Sequence, residues 1–71
     1  MRNYLRNLRL QKKYSQTEIA KLIGISQRHY SDIERGKSDP SWAVAQRFEQ
    51  LFNIPAGELL AESGEEPGKT A

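Results

Sequence analysis

Two helix-start signals, with a glycine just before the second, place the strongest constraint on this chain. Ser15 stands where a side-chain hydroxyl can cap a helix, and Glu18 can return a hydrogen bond to the backbone of that cap. Ser26 offers a second hydroxyl cap, and Gly24 can take the left-handed conformation that ends a helix. This spacing predicts two short helices joined by a tight turn, within residues 16–35.

The side chains of these two predicted helices divide into an apolar and a polar set. The apolar set fills the space between the helices and consists of Ile19, Ala20, Ile23, Ile25, Tyr30 and Ile33. At about 100° per residue, the outward face of the later helix carries only Gln27, Arg28, Ser31, Asp32 and Arg35. A polar helix after a tight turn enters the major groove in DNA-binding proteins. Plain structural hairpins share this layout, so the pattern alone leaves both interpretations open.

Three further helices are predicted outside this pair. They span about residues 3–12, 41–52 and 57–62, and Gly36 and Asn53 are candidates for left-handed residues at helix ends. No segment alternates apolar and polar residues as a half-buried strand would. The expected fold class is therefore all-α, a compact bundle of about five short helices.

Apolar positions on the outer helices indicate which sides are buried. On the first helix, one face carries Tyr4, Leu5 and Leu8. The opposite side is predicted to carry Arg2, Arg6 and Lys13. The fourth helix has a wide apolar stripe of Val44, Ala45, Phe48, Leu51 and Phe52. Both helices are therefore expected to pack against the central pair.

Length and composition exclude several classes of protein. A chain of 71 residues forms one domain and buries only about 60% of its unfolded surface, so a partner subunit would add stability. With no cysteine and one histidine, neither a disulfide framework nor a metal site is expected. We expect no cofactor and no enzyme activity, because no nucleophile with a base, phosphate loop or pair of carboxylates can be assembled.

The C-terminal residues differ from the rest of the chain. Residues 63–71 lack large apolar side chains, and we expect a flexible tail there after a domain at residues 1–62. No apolar stretch reaches the roughly 20 residues that cross a membrane. Residues 1–4 lack the apolar block of a signal peptide. The expected protein is small, soluble and cytoplasmic, with no membrane partner.

The net charge of +2 conceals an uneven distribution. Residues 1–37 hold nine Lys and Arg against three acidic residues, a net charge of +6, whereas residues 38–71 hold two against six, a net charge of −4. This asymmetry indicates one half that faces a polyanion. An unevenly charged solvated surface explains the same numbers, so charge alone leaves both interpretations open.

Six short motifs run in a fixed order and spacing from about residue 5 to residue 60. They are Leu5-Arg6-Asn7-Leu8-Arg9, Ser15-Gln16-Thr17-Glu18-Ile19-Ala20, Gly24-Ile25-Ser26, Ile33-Glu34-Arg35-Gly36-Lys37, Pro40-Ser41 and Glu58-Leu59-Leu60. In this arrangement the sequence resembles the Cro/C1-type helix-turn-helix proteins, also called the XRE family. The resemblance implies a lambda-repressor-like domain that binds specific DNA sequences, usually as a dimer on an operator with two-fold symmetry.

The resemblance also implies base-reading residues. Gln27 and Arg28 match the leading base-reading positions, with Ser31 and Asp32 one turn further along. An amide can pair with adenine, and a guanidinium with guanine. Asp32 can accept from a cytosine amine or orient Arg28, and we favour orientation because phosphates repel a carboxylate.

The implied phosphate contacts surround these positions. They are Gln16, Ser26, His29, Arg35 and Lys37. Gln16 begins the second helix and would also brace the recognition helix, while Lys37 follows that helix in a loop whose amides meet phosphate. For His29, a solvated position at the helix edge is equally expected.

Four other positions have implied or altered roles. Arg9 and Glu34 match a family ion pair that links the first helix to the third, which is a structural role. Trp42 stands where the family commonly has leucine, and its expected places are the core, an interface or, through its indole N–H, the DNA backbone. Lys13 stands where many relatives have glycine, which predicts a strained or differently shaped first turn.

The function expected from these features is that of a transcriptional regulator, most simply a repressor. It would read the major groove with the third helix, about residues 27–35, as a homodimer on a palindromic duplex operator. The expected dimer interface consists of Phe52, Ile54, Leu59 and Leu60. The alternative is an antitoxin or other regulator whose C-terminal helices bind a partner protein.

Overall fold

The computed structural model describes residues 1–60, which form five α-helices and no strand. The helices are α1 (Asn3–Gln11), α2 (Gln16–Ile23), α3 (Gln27–Arg35), α4 (Trp42–Phe52) and α5 (Ala56–Leu59). The predicted all-α class is confirmed. None of these five helices has the length and apolar content that a membrane span requires. The predicted tail at residues 63–71 lies outside the described residues. The last helix ends at Leu59, before its predicted end near residue 62.

The two helix-start signals and the glycine between the helices act as predicted. The hydroxyl of Ser15 accepts from the backbone N–H of Glu18 at 3.0 Å, and the Glu18 carboxylate accepts from the Ser15 N–H at 2.8 Å. Gly24 has φ 87°, and the N–H groups of Gly24 and Ile25 both donate to the carbonyl of Ala20. The Ser26 hydroxyl caps α3 by accepting from the backbone of His29 at 3.0 Å. These local bonds set the angle between α2 and α3.

Two helix ends use left-handed residues other than glycine. Lys13 has φ 61° and follows α1, where the N–H of Tyr14 donates to the carbonyl of Arg9. A non-glycine residue in this conformation costs roughly 1–2 kcal/mol, so the first turn has the expected strain. Asn53 has φ 58° and ends α4, a conformation that asparagine tolerates well.

A single apolar core joins α1 through α5. Its buried members are Leu5, Ile19, Ala20, Ile23, Tyr30, Ile33, Val44, Phe48, Phe52 and Leu59. The rings of Tyr30 and Phe48 lie with their centroids 6.1 Å apart, which fixes α3 against α4. Because Tyr30 and Ile33 face this core, the opposite side of α3 faces solvent.

Arg2 departs most from the expectation that it lies on the outer face of the first helix. It is 1% exposed. Arg2 precedes α1, which begins at Asn3 as predicted, so the assignment of helix faces does not apply to it. Its backbone N–H donates to the carbonyl of Glu34 at 2.8 Å, so it belongs to the contact between α1 and α3.

Apolar residues near the C-terminal helices also differ from expectation. Trp42 is 76% exposed, so the expectation of a core position is wrong. Phe52 and Leu59 lie in the core of the protomer itself, and Leu59 has no exposed surface. Of the four residues predicted for a dimer interface, only Ile54 and Leu60 are half-buried rather than buried. The side chains of Phe52 and Leu59 therefore have little surface to offer a partner.

Candidate nucleic-acid interface

A polar concavity lies over the outward face of α3. It is lined by Gln16, Gln27, Arg28, Ser31, Asp32, Arg35 and Lys37. The surface brings together all four predicted base-reading residues and three of the predicted phosphate contacts. Ser26 and His29 are not among its lining residues. The lining includes three cationic side chains and one carboxylate, a balance suited to a polyanion.

The packing of α3 determines which side chains point into this concavity. Gln27 and Arg28, in the first turn, are exposed, whereas Ser31 and Asp32, one turn later, are half-buried. Long side chains therefore project at the start of the helix and short ones lie nearer its middle. Within residues 1–60 no hydrogen bond joins Asp32 to Arg28, so the predicted orienting contact is not formed in this structure.

A buried hydrogen-bond network holds α1, α2 and α3 together behind this surface. Glu34 Oε2 accepts from Arg9 Nε at 2.9 Å and from the Tyr30 hydroxyl at 2.7 Å. Glu34 Oε1 accepts from the side-chain amide of Gln16 at 3.2 Å. Arg9 also donates to the carbonyl of Tyr14 at 2.9 Å. Gln16 belongs both to this network and to the lining of the concavity, so the network connects the concavity to the interior of the domain.

Backbone hydrogen bonds form the start of the loop after α3. Gly36 has φ 82°, and the N–H groups of Lys37 and Ser38 donate to the carbonyl of Asp32 at 2.8 and 3.2 Å. This closes the helix with the left-handed motif that glycine favours. Lys37 is exposed at the edge of the concavity.

Comparison with known proteins identifies the family to which this chain belongs. A family model described as helix-turn-helix matches residues 5–59, which include the whole α2–α3 unit. The chain belongs to the Cro/C1-type helix-turn-helix family. The resemblance identified from the six motifs is therefore confirmed.

Relatives of this helix-turn-helix chain come from bacteria, archaea and bacteriophages. It is 42% identical over 55 residues to YazB of Bacillus subtilis, an uncharacterized HTH-type transcriptional regulator, covering 78% of this chain and 80% of YazB. It is 27% identical over 59 residues to the transcriptional repressor RstR of cryptic phage CTXphi in Vibrio cholerae, covering 83% of this chain and 53% of RstR. It is 38% identical over 50 residues to the ImmF control region 10 kDa protein of Bacillus phage phi105, covering 70% and 56%. The chain thus spans about half the length of RstR and of the phage phi105 protein.

The carboxyl group of Glu34 is ionised in the helix-turn-helix domain despite its position. Burial acts to raise its pKa, but the hydrogen bonds from Arg9 and Tyr30 outweigh burial and hold the pKa below its ordinary value of 4.5. Burial and the hydrogen bond to Glu34 raise the pKa of the Tyr30 hydroxyl, which stays a donor. Glu34 is therefore a charged acceptor, Tyr30 is its neutral donor and Arg9 is its cationic donor.

The helix-turn-helix domain is expected to lose stability in acid through Glu34. Its carboxylate has a lower pKa folded than unfolded, so its stabilising contribution is complete above the ordinary value of 4.5 and is lost as the pH falls through the folded pKa. Urea midpoints measured from about pH 7 down to about pH 3 test this dependence. Glu34→Gln is expected to flatten the acid limb, and an identical acid limb in that variant would contradict the assignment.

Two arginines of the domain have structural roles that the sequence reading missed. Arg47 on α4 donates to the carbonyl of Ile23 at 3.0 Å, which satisfies the C-terminal end of α2. A Cβ atom on Gly24 would lie 3.1 Å from the same guanidinium, so the turn and Arg47 fit closely. Arg2 has a comparable role at the end of α3. The sequence carries no spacing signal for either contact, since both join helices far apart in the chain.

Within residues 1–60, no three His, Asp or Glu side chains lie together as a metal site would require.

Proposed function

We propose that this chain is a transcriptional repressor that binds specific duplex DNA sequences with α3 in the major groove. The observation that carries the proposal is the concavity, in which the outward side chains of α3 lie beside Gln16 and Lys37. A helix presented in this way fits the major groove, whose width of about 12 Å admits one helix. The relatives named as repressor and transcriptional regulator support the same function.

The proposed base contacts follow from the chemistry of the exposed first turn. Gln27 can pair through its amide with adenine, and the Arg28 guanidinium can pair with the two acceptors of guanine. Ser31 and Asp32 lie one turn further along, and their short side chains reach bases only where the base edges come close to the helix. Asp32 is proposed to orient Arg28 when DNA is bound, since the two residues are spaced one turn apart.

The proposed phosphate contacts frame this reading surface. They are Gln16, Ser26, His29, Arg35 and Lys37. Gln16 supports its contact with a hydrogen bond to Glu34 that fixes the amide. Ser26 and His29 lie outside the concavity and would meet the backbone on the other side of the first turn of α3. Such contacts position the protein without reading sequence.

Replacing Lys37 with alanine is expected to weaken binding to all duplex DNA alike. Loss of one phosphate contact lowers the slope of log affinity against log salt by about one unit. Fluorescence anisotropy over a salt series measures this slope for selected and random duplexes. Lys12→Ala serves as a control, because Lys12 is exposed beyond α1 and does not line the concavity. An unchanged slope in Lys37→Ala would remove Lys37 from the phosphate contacts.

A homodimer is proposed as the DNA-binding form. Two-fold symmetry would place the two copies of α3 about 34 Å apart, one turn of DNA. The interface is proposed at the half-buried Ile54 and Leu60, neither of which lines the concavity. The exposed Trp42 is a further candidate for this interface.

Selection of bound duplexes from a random pool tests the proposed function. The expected result is one enriched motif with inverted half-sites whose centres lie about 10 base pairs apart. A single enriched half-site would overturn the homodimer but keep base reading. If no motif were enriched relative to the starting DNA pool at the same salt concentration, sequence-specific recognition itself would be overturned.

A further inference from the structure

The side chain of Arg2 is held by acceptors from three separate parts of the fold. Its Nε donates to the carbonyl of Leu60 at 3.0 Å. One terminal nitrogen donates to the carbonyls of Ile33 and Ser38, the latter at 2.9 Å, and the other pairs with the Asp39 carboxylate at 2.5 Å. The guanidinium thus joins the end of α3, the loop that follows it and the end of α5.

These contacts bracket the loop that carries Lys37. Ile33 lies four residues before Lys37, and Ser38 comes directly after it. The backbone N–H of Arg2 also donates to the carbonyl of Glu34 at 2.8 Å. The last carbonyls of α3 and the residues after Gly36 are therefore fixed to one buried group.

We propose that Arg2 is a positioning residue for DNA binding, which sets the path of residues 36–39 so that Lys37 meets a phosphate. This inference rests on the proposed function, because it assigns the loop to the DNA backbone. Arg2 itself is buried and lies outside the lining of the concavity, so it acts through Lys37 rather than on DNA.

The shape of the acceptor set explains why an arginine stands here. Five N–H donors in a planar fork can serve several carbonyls and a carboxylate together, whereas a lysine ammonium is a compact point charge on a flexible stem. The acceptors at Leu60, Ile33, Ser38 and Asp39 lie around one guanidinium. Arg2→Lys keeps the charge but cannot serve all of them, so it is expected to loosen the loop while the domain remains folded.

A double-mutant cycle on DNA binding tests this role. The variants are Arg2→Lys, Arg2→Met, Lys37→Ala and the two double variants. Their affinity for the selected duplex is measured over a salt series. The temperature is one at which unfolding curves show that every variant is folded. Arg2→Met is expected to weaken binding about tenfold, the loss of one charge-assisted contact. It is also expected to lower the salt slope by about one unit. Arg2→Lys should show the same changes in smaller measure.

The decisive result is the behaviour of the cycle in the Lys37→Ala background. If Arg2 acts through Lys37, its replacement there causes little further loss of affinity and no further change of slope. Leu8→Ala, which perturbs a half-buried core contact on α1, should leave the slope unchanged. Independent, multiplying effects of Arg2 and Lys37, or an unchanged slope in both Arg2 variants, would overturn the positioning role. If Lys37→Ala alone left the slope unchanged, the phosphate contact and this role would both be wrong, while enrichment of a motif would still support base reading.

Discussion

Replacing Glu34 with alanine is expected to lower the free energy of unfolding by about 3–5 kcal/mol, the typical cost of removing one partner from a buried ion pair. Glu34 is 2% exposed and accepts from Arg9, Tyr30 and Gln16. Its removal leaves the Tyr30 hydroxyl without its acceptor and the Arg9 guanidinium with only the Tyr14 carbonyl, which is the costly part of such a change. A domain of this size has a free energy of unfolding near the low end of about 5–15 kcal/mol, so the variant is expected to lose most of its stability.

Urea denaturation at neutral pH measures this loss. Glu58→Ala is the matched control, because Glu58 is an exposed glutamate on α5, and surface changes of this kind stay within about 0.5 kcal/mol. Glu34→Gln keeps the shape and one acceptor oxygen and should fall between the two. A loss in Glu34→Ala no larger than that in Glu58→Ala would show that the network does not hold the three helices together.

Replacing Arg28 with alanine is expected to lower the preference for one base pair of the operator by about 1–3 kcal/mol. The side chain is exposed in the first turn of α3 and lines the concavity. Because the loss concerns a base, the affinity for the selected site should fall while the affinity for random duplex falls much less. Duplexes that carry each of the four base pairs at every position locate the affected one.

A variant with the same change of charge separates base recognition from the general electrostatic attraction to DNA. Arg6→Ala removes one exposed cation of α1 that does not line the concavity. It is expected to weaken selected and random DNA by a similar small factor, with the base preferences intact. An equal loss on selected and random DNA in Arg28→Ala would mean that Arg28 contacts phosphate only.

Local signals made most of the fold predictable. Ser15 with Glu18, Ser26, Gly24 and Gly36 each act within a few residues, and backbone geometry decides their role. Helical periodicity then placed Tyr30 and Ile33 in the core and left the polar face of α3 outside. The α3 residues of the concavity followed from that face, since a helix whose buried side is known has its exposed side known as well, whereas Gln16 and Lys37 were implied by the family resemblance.

The remaining features depend on contacts between distant parts of the chain. Arg2 meets Leu60 across nearly the full length of the described residues, and no periodic pattern encodes such a pair. Trp42 begins α4, where its apolar character suggested burial, but packing of the helix through Val44 and Phe48 leaves it outside. Phe52 and Leu59 were expected at an interface because the first half of the chain must stay free for DNA, yet both belong to the core of the protomer.

The central claim is that the outward face of α3 and the loop after it meet DNA. Amide chemical shifts of the labelled protein, recorded with and without the selected duplex, test it most directly. The account predicts the largest changes at Gln27, Arg28 and Lys37, with residues of α5 changing little apart from any common effect of dimerisation. Largest changes along α4 and α5, with the α3 amides unmoved, would contradict it.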